Sequence, residues 1–172
     1  GIILHDAADA VFFRHQIEQI IFFSGAGDAR IVHSRAGNYN HPNRPGFEDF
    51  GDCMIECDNG VTGYFRVDWF TPKGLGAWGD GRTIIEGTDG YIEIRKYIDV
   101  ANSAEGDQVY YVDHEGEHHC CASGKCGFPF FGGMIRDCLD RTELVMKQDY
   151  IFRVIELAMQ AEREAEKVGF KG

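Results

Sequence analysis

Alternating apolar and polar positions run through the middle of the chain and predict β-strands. Between Val61 and Phe70 this alternation separates two unlike faces. One face is apolar or small and is formed by Val61, Gly63, Phe65, Val67 and Trp69. The other face is more polar and is formed by Thr62, Tyr64, Arg66 and Asp68. Because neighbouring side chains of a strand point to opposite faces of its sheet, we expect the two faces of this sheet to have different surroundings.

Three short turns join such strands into hairpins. The turns are Asp58-Asn59-Gly60, Asp89-Gly90 and His114-Glu115-Gly116. Asn and Gly tolerate the positive backbone angles of tight hairpins, and links this short cannot form parallel crossovers. The pairing is therefore expected to be antiparallel. The expected strands are Arg30 to Gly37, Cys53 to Cys57, Val61 to Phe70, Thr83 to Gly87, Tyr91 to Arg95, Val109 to Val112 and Glu117 to Cys120.

The period of the apolar residues becomes helical towards both ends of the chain. It predicts one helix over about His15 to Phe23, and two more over Phe131 to Leu139 and Ile151 to Met159. The charged stretch Glu162 to Lys167 is expected to continue the last helix. Two segments rich in glycine, residues 37–51 and 72–81, are expected to be loops.

Helices at the two ends of a run of hairpins predict an α+β fold. We expect an open, predominantly antiparallel β-sheet with helices packed on one face. The length of 172 residues and the hydrophobic content of 44% fit a single domain over residues 1–172. The predicted secondary-structure elements and the length of the chain are thus both consistent with one sheet and one helix layer.

The charge and the lack of targeting signals exclude several functions. A formal net charge of -11 argues against nucleic-acid binding, because such proteins use clustered Lys and Arg to replace the counterions of the phosphates. No apolar run approaches the roughly 20 residues of a membrane-spanning helix, and no secretion signal opens the chain. We therefore expect a cytoplasmic protein that does not contact membranes.

The six cysteines are expected to be free thiols. Cys53, Cys57 and Cys138 are interpreted as small core residues. A possible zinc cluster is His118-His119-Cys120-Cys121 with Cys126. Adjacent residues of a strand point to opposite faces, so these side chains cannot readily reach one ion. A small zinc protein stays an alternative, and no metal site is assigned.

Four motifs between Gly51 and Lys96 carry a family resemblance. They are Asp58-Asn59-Gly60, Val67-Asp68-Trp69-Phe70-Thr71-Pro72, Trp78-Gly79-Asp80-Gly81-Arg82 and Glu86-Gly87-Thr88-Asp89-Gly90-Tyr91-Ile92-Glu93. In this order they resemble the C-terminal domain of the Gfo/Idh/MocA family of NAD(P)-dependent oxidoreductases. The segment His15-Gln16-Ile17-Glu18 resembles the HxxD helix of that family, and the similarity extends over about residues 15–167.

The resemblance implies an enzyme in which one domain binds the substrate and another binds the cofactor. The domain seen in this sequence would bind a sugar or polyol-like substrate and form homo-oligomers through the open face of its sheet. A preceding Rossmann domain would hold NAD or NADP for hydride transfer. No G-x-G-x-x-G follows an opening strand, so we expect no Rossmann domain and no bound cofactor in this chain.

Two functions follow from this organisation. The first is the substrate-binding and oligomerisation domain of an oxidoreductase, inactive as an isolated fragment. The chain begins with Gly1, which agrees with a missing neighbour on that side. The alternative is a stand-alone, non-catalytic dimerisation or ligand-binding module with the same sheet.

The N-terminal segment departs from the family pattern. The family places an aspartate four residues before the motif histidine, where this sequence has Val11. Asp6 and Asp9 lie nearby but are out of register. Residues 1–14 are therefore expected to form an atypical segment.

The motif histidine, His15, is the candidate catalytic residue. The resemblance implies that it exchanges a proton with the substrate hydroxyl, and an imidazole suits this role because its pKa lies near neutrality. Glu18 stands where the family has aspartate, and we expect it to orient or cap rather than to catalyse.

The second glycine-rich loop supplies candidate substrate-binding residues, Trp78, Asp80 and Arg82. Arg and Asp can hydrogen-bond hydroxyl groups while Trp covers a sugar face. The alternative is a turn held by a local Arg–Asp pair. Asn38, Asn40 and His41 offer a weaker binding candidate, for which an ordinary loop is the preferred interpretation.

Overall fold

The computed structural model describes residues 1–6 and 13–169. Within these residues the helices are α1 (Phe13–Ser24), α2 (Pro129–Asp140) and α3 (Gln148–Glu164). The strands are β1 (Ile2–Asp6), β2 (Ala29–Asn38), β3 (Phe50–Cys57), β4 (Thr62–Asp68), β5 (Arg82–Gly87), β6 (Gly90–Arg95), β7 (Gln108–Val112), β8 (Glu117–Cys121) and β9 (Glu166–Gly169). No described helix has both the length and the apolar character needed to cross a membrane.

The strands form one open sheet in the order β8-β7-β6-β5-β1-β4-β3-β2-β9. The three predicted hairpins are present as β3–β4, β5–β6 and β7–β8, and all three are antiparallel. Two pairs, β1 with β4 and β2 with β9, are parallel. The predicted fold class, a mostly antiparallel open sheet with helices, is confirmed.

Two strands lie where the sequence predicted none. Strand β1 falls inside the segment expected to be atypical, yet it pairs with both β4 and β5 near the centre of the sheet. Strand β9 occupies part of the predicted helical tail, because α3 ends at Glu164 and the chain then pairs in parallel with β2. The departure at Val11 lies outside the described residues.

The core lies between the helices and one half of the sheet. Helices α1 and α3 pack on each other, α1 covers β1, β3 and β4, and α3 covers β2. The alternation predicted for β4 is present from Thr62 to Val67, but it ends there, because Asp68 is buried and Trp69 is exposed. The remaining fully buried apolar side chains include Leu4, Ile17, Ile20, Ile55 and Leu157.

Helix α2 is packed much less than the other two helices. None of its residues is buried, and Phe131, Ile135 and Leu139 are 66%, 58% and 76% exposed. The expectation for Cys138 was therefore wrong, because this residue is exposed on α2, whereas Cys53 and Cys57 are buried as predicted. The helical spacing predicted α2 correctly, but the apolar face that it marks is not covered by residues 1–6 or 13–169.

Helix α1 packs closely on the sheet at Gly63. A Cβ atom at this position would lie 2.5 Å from Cγ2 and 2.8 Å from Cδ1 of Ile20, which is itself fully buried. We expect Gly63→Ala to lower the free energy of unfolding by about 1–3 kcal/mol, because a packed core tolerates an added methyl poorly. Chemical denaturation measures this change. Gly74→Ala is the control, since a Cβ there meets nothing within 4 Å, and equal losses in the two variants would contradict the packing argument.

Candidate functional site

The predicted substrate-binding residues lie where β4 ends and β5 begins. Trp78 belongs to the connecting loop and is 60% exposed. Its ring meets Trp69 edge-on at 6.2 Å between ring centroids and Tyr97 at 6.1 Å. Three aromatic rings thus form a partly exposed cluster, of which the sequence predicted only Trp78 as a binding residue.

Asp80 and Arg82 bind each other. Nε of Arg82 donates to Oδ1 and Oδ2 of Asp80 at 3.1 and 3.0 Å, and Nη2 donates to Oδ2 at 2.6 Å. The hydrogen bonds to Asp80 raise the pKa of Arg82 further above its usual range. The ion pair between Arg82 and Asp80 that the sequence allowed is therefore present. Both side chains are partly exposed, close in sequence to Trp78 of the aromatic cluster.

His15 lies on α1 and is exposed. Its backbone carbonyl accepts a hydrogen bond from Nε2 of Gln19 at 3.0 Å, and Oε1 of Gln19 accepts one from Nζ of Lys96 at 3.2 Å. The backbone N–H of Lys96 donates to the carbonyl of Gly81 at 2.8 Å. A series of hydrogen bonds thus connects the helix of His15 with the loop of Trp78 and Asp80.

Glu18 faces α3 rather than the loop. The hydroxyl of Tyr150 donates towards Oε1 of Glu18 at 3.4 Å and towards its backbone carbonyl at 3.3 Å. Burial raises the pKa of Glu18, and burial together with the nearby carboxylate raises the pKa of Tyr150 to about 12. This contact ties α1 to α3, which agrees with an orienting role.

Residues 39–49 form the loop between β2 and β3, which is held by internal hydrogen bonds and by bonds to Asn38 at the end of β2. Oδ1 of the fully buried Asp49 accepts from the backbone N–H of Tyr39, and Oδ2 accepts from that of Asn40, both at 2.8 Å, while Nδ1 of His41 lies 2.7 Å from Oδ2. Nδ2 of Asn38 donates to the His41 carbonyl at 2.8 Å. These contacts give Asn38 and His41 a structural role in the loop that does not involve a ligand.

Adjacent side chains of His118-His119-Cys120-Cys121 on β8 point to opposite faces of the sheet, as expected. His118 stacks on Tyr111 with the ring centroids 4.4 Å apart, and His119 stacks on Tyr110 at 4.5 Å. Nε2 of His119 lies 2.8 Å from Oε1 of Gln108. Across residues 1–6 and 13–169, no three His, Cys, Asp or Glu side chains are grouped so as to hold a metal ion.

The glycine-rich loop does not fit a dinucleotide. Gly74, Gly76 and Gly79 have the spacing G-x-G-x-x-G, but their segment joins β4 to β5 and leads into a strand. A dinucleotide site uses this motif to bring the pyrophosphate to the N-terminus of a helix. This loop therefore differs from a dinucleotide-binding loop in the element that follows it, which is the strand β5.

Comparison with known proteins defines the class. No family model matches the chain, and no curated protein matches it. Among solved structures, its relatives are Gfo/Idh/MocA-type oxidoreductases, and the chain spans only about half the length of each. The chain therefore has the structure of the C-terminal domain of this type of oxidoreductase, as its motifs predicted.

One similar structure is a protein from Erwinia carotovora atroseptica that is assigned to the oxidoreductases. It is 42% identical with a TM-score of 0.89, over 97% of this chain and 56% of its own. An oxidoreductase from Agrobacterium radiobacter, in complex with NAD+, L-tartaric acid and magnesium, is 15% identical with a TM-score of 0.70, over 95% and 53% of the two chains. UDP-N-acetylglucosamine 3-dehydrogenase from Acidithiobacillus ferrooxidans is 11% identical with a TM-score of 0.67, over 96% and 53%. The last two likenesses concern the fold alone.

Proposed function

We propose that this chain is the substrate-binding and oligomerisation domain of an NAD(P)-dependent oxidoreductase. The observation that carries the proposal is the 42% identity to the Erwinia protein over 97% of this chain but only 56% of that protein. A nucleotide-binding domain would supply NAD or NADP, since the glycine-rich loop of this chain does not fit either cofactor. The chain alone would then be inactive.

A sugar or polyol-like molecule is the proposed substrate. The partly exposed Trp78 offers an aromatic face on which a sugar ring can stack, and the Asp80–Arg82 pair offers both acceptors and donors to neighbouring hydroxyl groups. Similar structures include a UDP-N-acetylglucosamine 3-dehydrogenase and a 3-ketoreductase, the latter seen in complex with NADP. The first name is that of a dehydrogenase of a nucleotide-linked sugar, and the second is that of an enzyme that reduces a ketone.

His15 is the proposed general acid–base. Its exposed position lets it approach a substrate bound outside the helix layer. In the oxidation direction His15 would accept the proton of the substrate hydroxyl, and in the reverse direction it would return that proton. Gln19 and Lys96 connect its helix to the proposed binding loop and would fix the distance between the two.

Exposed apolar side chains on two helices support a contact with a further domain. On α2, Phe131 and Leu139 are 66% and 76% exposed, and on α3, Phe152 is 60% exposed. A large exposed apolar surface marks an interaction site. The part of the Erwinia protein that this chain does not cover would hold the domain that packs here.

The open face of the sheet is the proposed surface for homo-oligomers. Ile3 and Met54 lie on either side of Tyr64 in the strand register, and they are 39% and 46% exposed. These residues alternate with the buried positions of their strands, so they face away from the helices. A second copy of the sheet would bury this apolar row.

The same features also fit a stand-alone dimerisation or ligand-binding module. Such a module would require the open face and the aromatic cluster but would not require a proton-transferring histidine. A test of His15 in an assembled enzyme therefore separates the two functions.

A chimera provides this test. We expect activity when this chain replaces the matching part of the Erwinia protein, measured as NAD or NADP reduction with a panel of sugars and polyols. His15→Ala in the chimera should lower kcat by about 10²–10⁴-fold, the range for loss of a general acid–base. The control is His114→Ala, on the exposed β7–β8 turn. A folded chimera that His15→Ala leaves unchanged would favour the stand-alone module.

Calorimetry tests the division between domains. The isolated chain should show no heat of binding with NAD or NADP, because its glycine-rich loop leads into a strand instead of a helix. Tight binding of either nucleotide by the chain alone would refute the need for a second domain.

Sedimentation at micromolar concentration tests the oligomer. We expect a dimer or larger species for the unmodified chain and a monomer for the double variant Ile3→Glu/Met54→Glu, because it would bury two unpaired carboxylates between the sheets. Leu144→Glu, at a residue 87% exposed in the α2–α3 connection, is the control and should leave the species unchanged. A monomeric unmodified chain would contradict the proposed contact.

A further inference from the structure

His5 lies near the end of β1, between β4 and β5. In the strand register it is opposite Arg66 on one side and Arg82 on the other. The preceding residue, Leu4, is fully buried under the helices, so His5 faces the open side of the sheet, where its side chain is 40% exposed. The imidazole of His5 therefore lies against the glycine-rich loop that carries Trp78.

Both ring nitrogens of His5 face hydrogen-bond acceptors. Nδ1 lies 3.0 Å from the backbone carbonyl oxygen of Asp80, and Nε2 lies 3.4 Å from Oδ2 of Asp68. A neutral imidazole carries one N–H and can donate to only one of these oxygens. Only a doubly protonated ring can donate to both oxygens at once.

The charges around His5 nearly balance. Arg66 donates from Nε to Oδ2 of Asp68 at 2.7 Å, and Arg82 binds the carboxylate of Asp80. Two arginines and two carboxylates thus belong to the residues that neighbour His5 on β4, β5 and the loop. The hydrogen bond with Asp68 raises the pKa of His5, although burial and the charge of Arg66 act in the opposite direction.

Asp68 itself is held ionised for this contact. Burial opposes its charge, but hydrogen bonds from His5, Arg66 and the backbone N–H of Phe70 lower its pKa. A carboxylate with only 6% of its side chain exposed is thereby available to a protonated ring. Because the lowered pKa keeps Asp68 ionised, this contact depends on the protonation of His5.

We propose that His5 is a positioning residue whose doubly protonated ring ties the glycine-rich loop, residues 72–81, to the end of β4, so that the position of Trp78 depends on pH. When the ring loses a proton, one of its two nitrogens presents a lone pair to an oxygen, and one of the two links is lost. The raised pKa means that the tether is complete below about pH 6.5 and is lost as the pH rises through the pKa of the folded state.

The two tryptophans of the chain, Trp69 and Trp78, provide the measurement. Both lie at this end of the sheet in contact with each other, so tryptophan emission reports on the loop without a label. Over about pH 5.5–9 we expect one emission transition in the full 172-residue chain. Its midpoint should lie above 6.5 and match the pKa of the His5 ring measured by NMR.

Two variants decide the origin of this transition. His5→Gln should abolish it, because an amide does not titrate. Asp68→Asn keeps the imidazole but removes the carboxylate, and it should lower the midpoint by about one pH unit or more. His41→Gln is the control, since His41 packs on Phe47, which in turn contacts Trp69, and this variant should keep the transition.

A transition that persists in folded His5→Gln would overturn the tether, and so would an unchanged midpoint in Asp68→Asn. If His5→Gln does not fold, the midpoint in Asp68→Asn decides alone. The consequence for substrate binding rests on the proposed function, but the emission measurement needs no substrate. An inactive chimera with an intact emission transition would therefore refute the proposed function and leave the tether standing.

Discussion

The structure depends on the insertion of β1 between β4 and β5. Without this strand, β5 to β8 would form one antiparallel group and β2 to β4 another, with no hydrogen-bonded link between the two groups in the observed order. Strand β1 pairs in parallel with β4 and antiparallel with β5. This five-residue strand therefore joins the two groups through hydrogen bonds on both of its edges. It also contributes Ile2 and Leu4 to the core and brings His5 beneath the glycine-rich loop.

The two groups of strands differ in what covers them. Over β1 to β4, the helix layer lies so close that Gly63 has no room for a side chain beside Ile20. Over β5 to β8, the same face carries Ile92 and Tyr111, which are 38% and 37% exposed, and α2 leaves its own phenylalanines uncovered. An apolar surface of this kind is unfavourable in water, which is the physical reason for placing another domain or another copy against it.

The sequence could predict whatever depends on neighbours along the chain. The hairpins at Asn59-Gly60 and Asp89-Gly90 were found because a turn and its two strands are local, and the motif of Trp78 to Arg82 was found because it is continuous. Strands β1 and β9 were missed because a parallel partner is distant, and β9 has only four residues to carry a pattern. Tyr97, Lys96 and His5 were missed at the candidate site for the same reason: the sheet order, not a motif, brings them there.

Buried carboxylates on the open face are paired with arginines. Asp52 and Asp68 have only 3% and 6% of their side chains exposed, while Arg35 and Arg66, which bind them, are 42% and 40% exposed. Each guanidinium shields a carboxylate from water while keeping one side hydrated, and Arg66 also lies over the rings of Phe50 and Phe70. Charges that are already paired need not find new partners when a second surface covers them, so the desolvation that opposes association is smaller than for free ions. The same pairing keeps charged groups on this face in contact with water while the face is exposed.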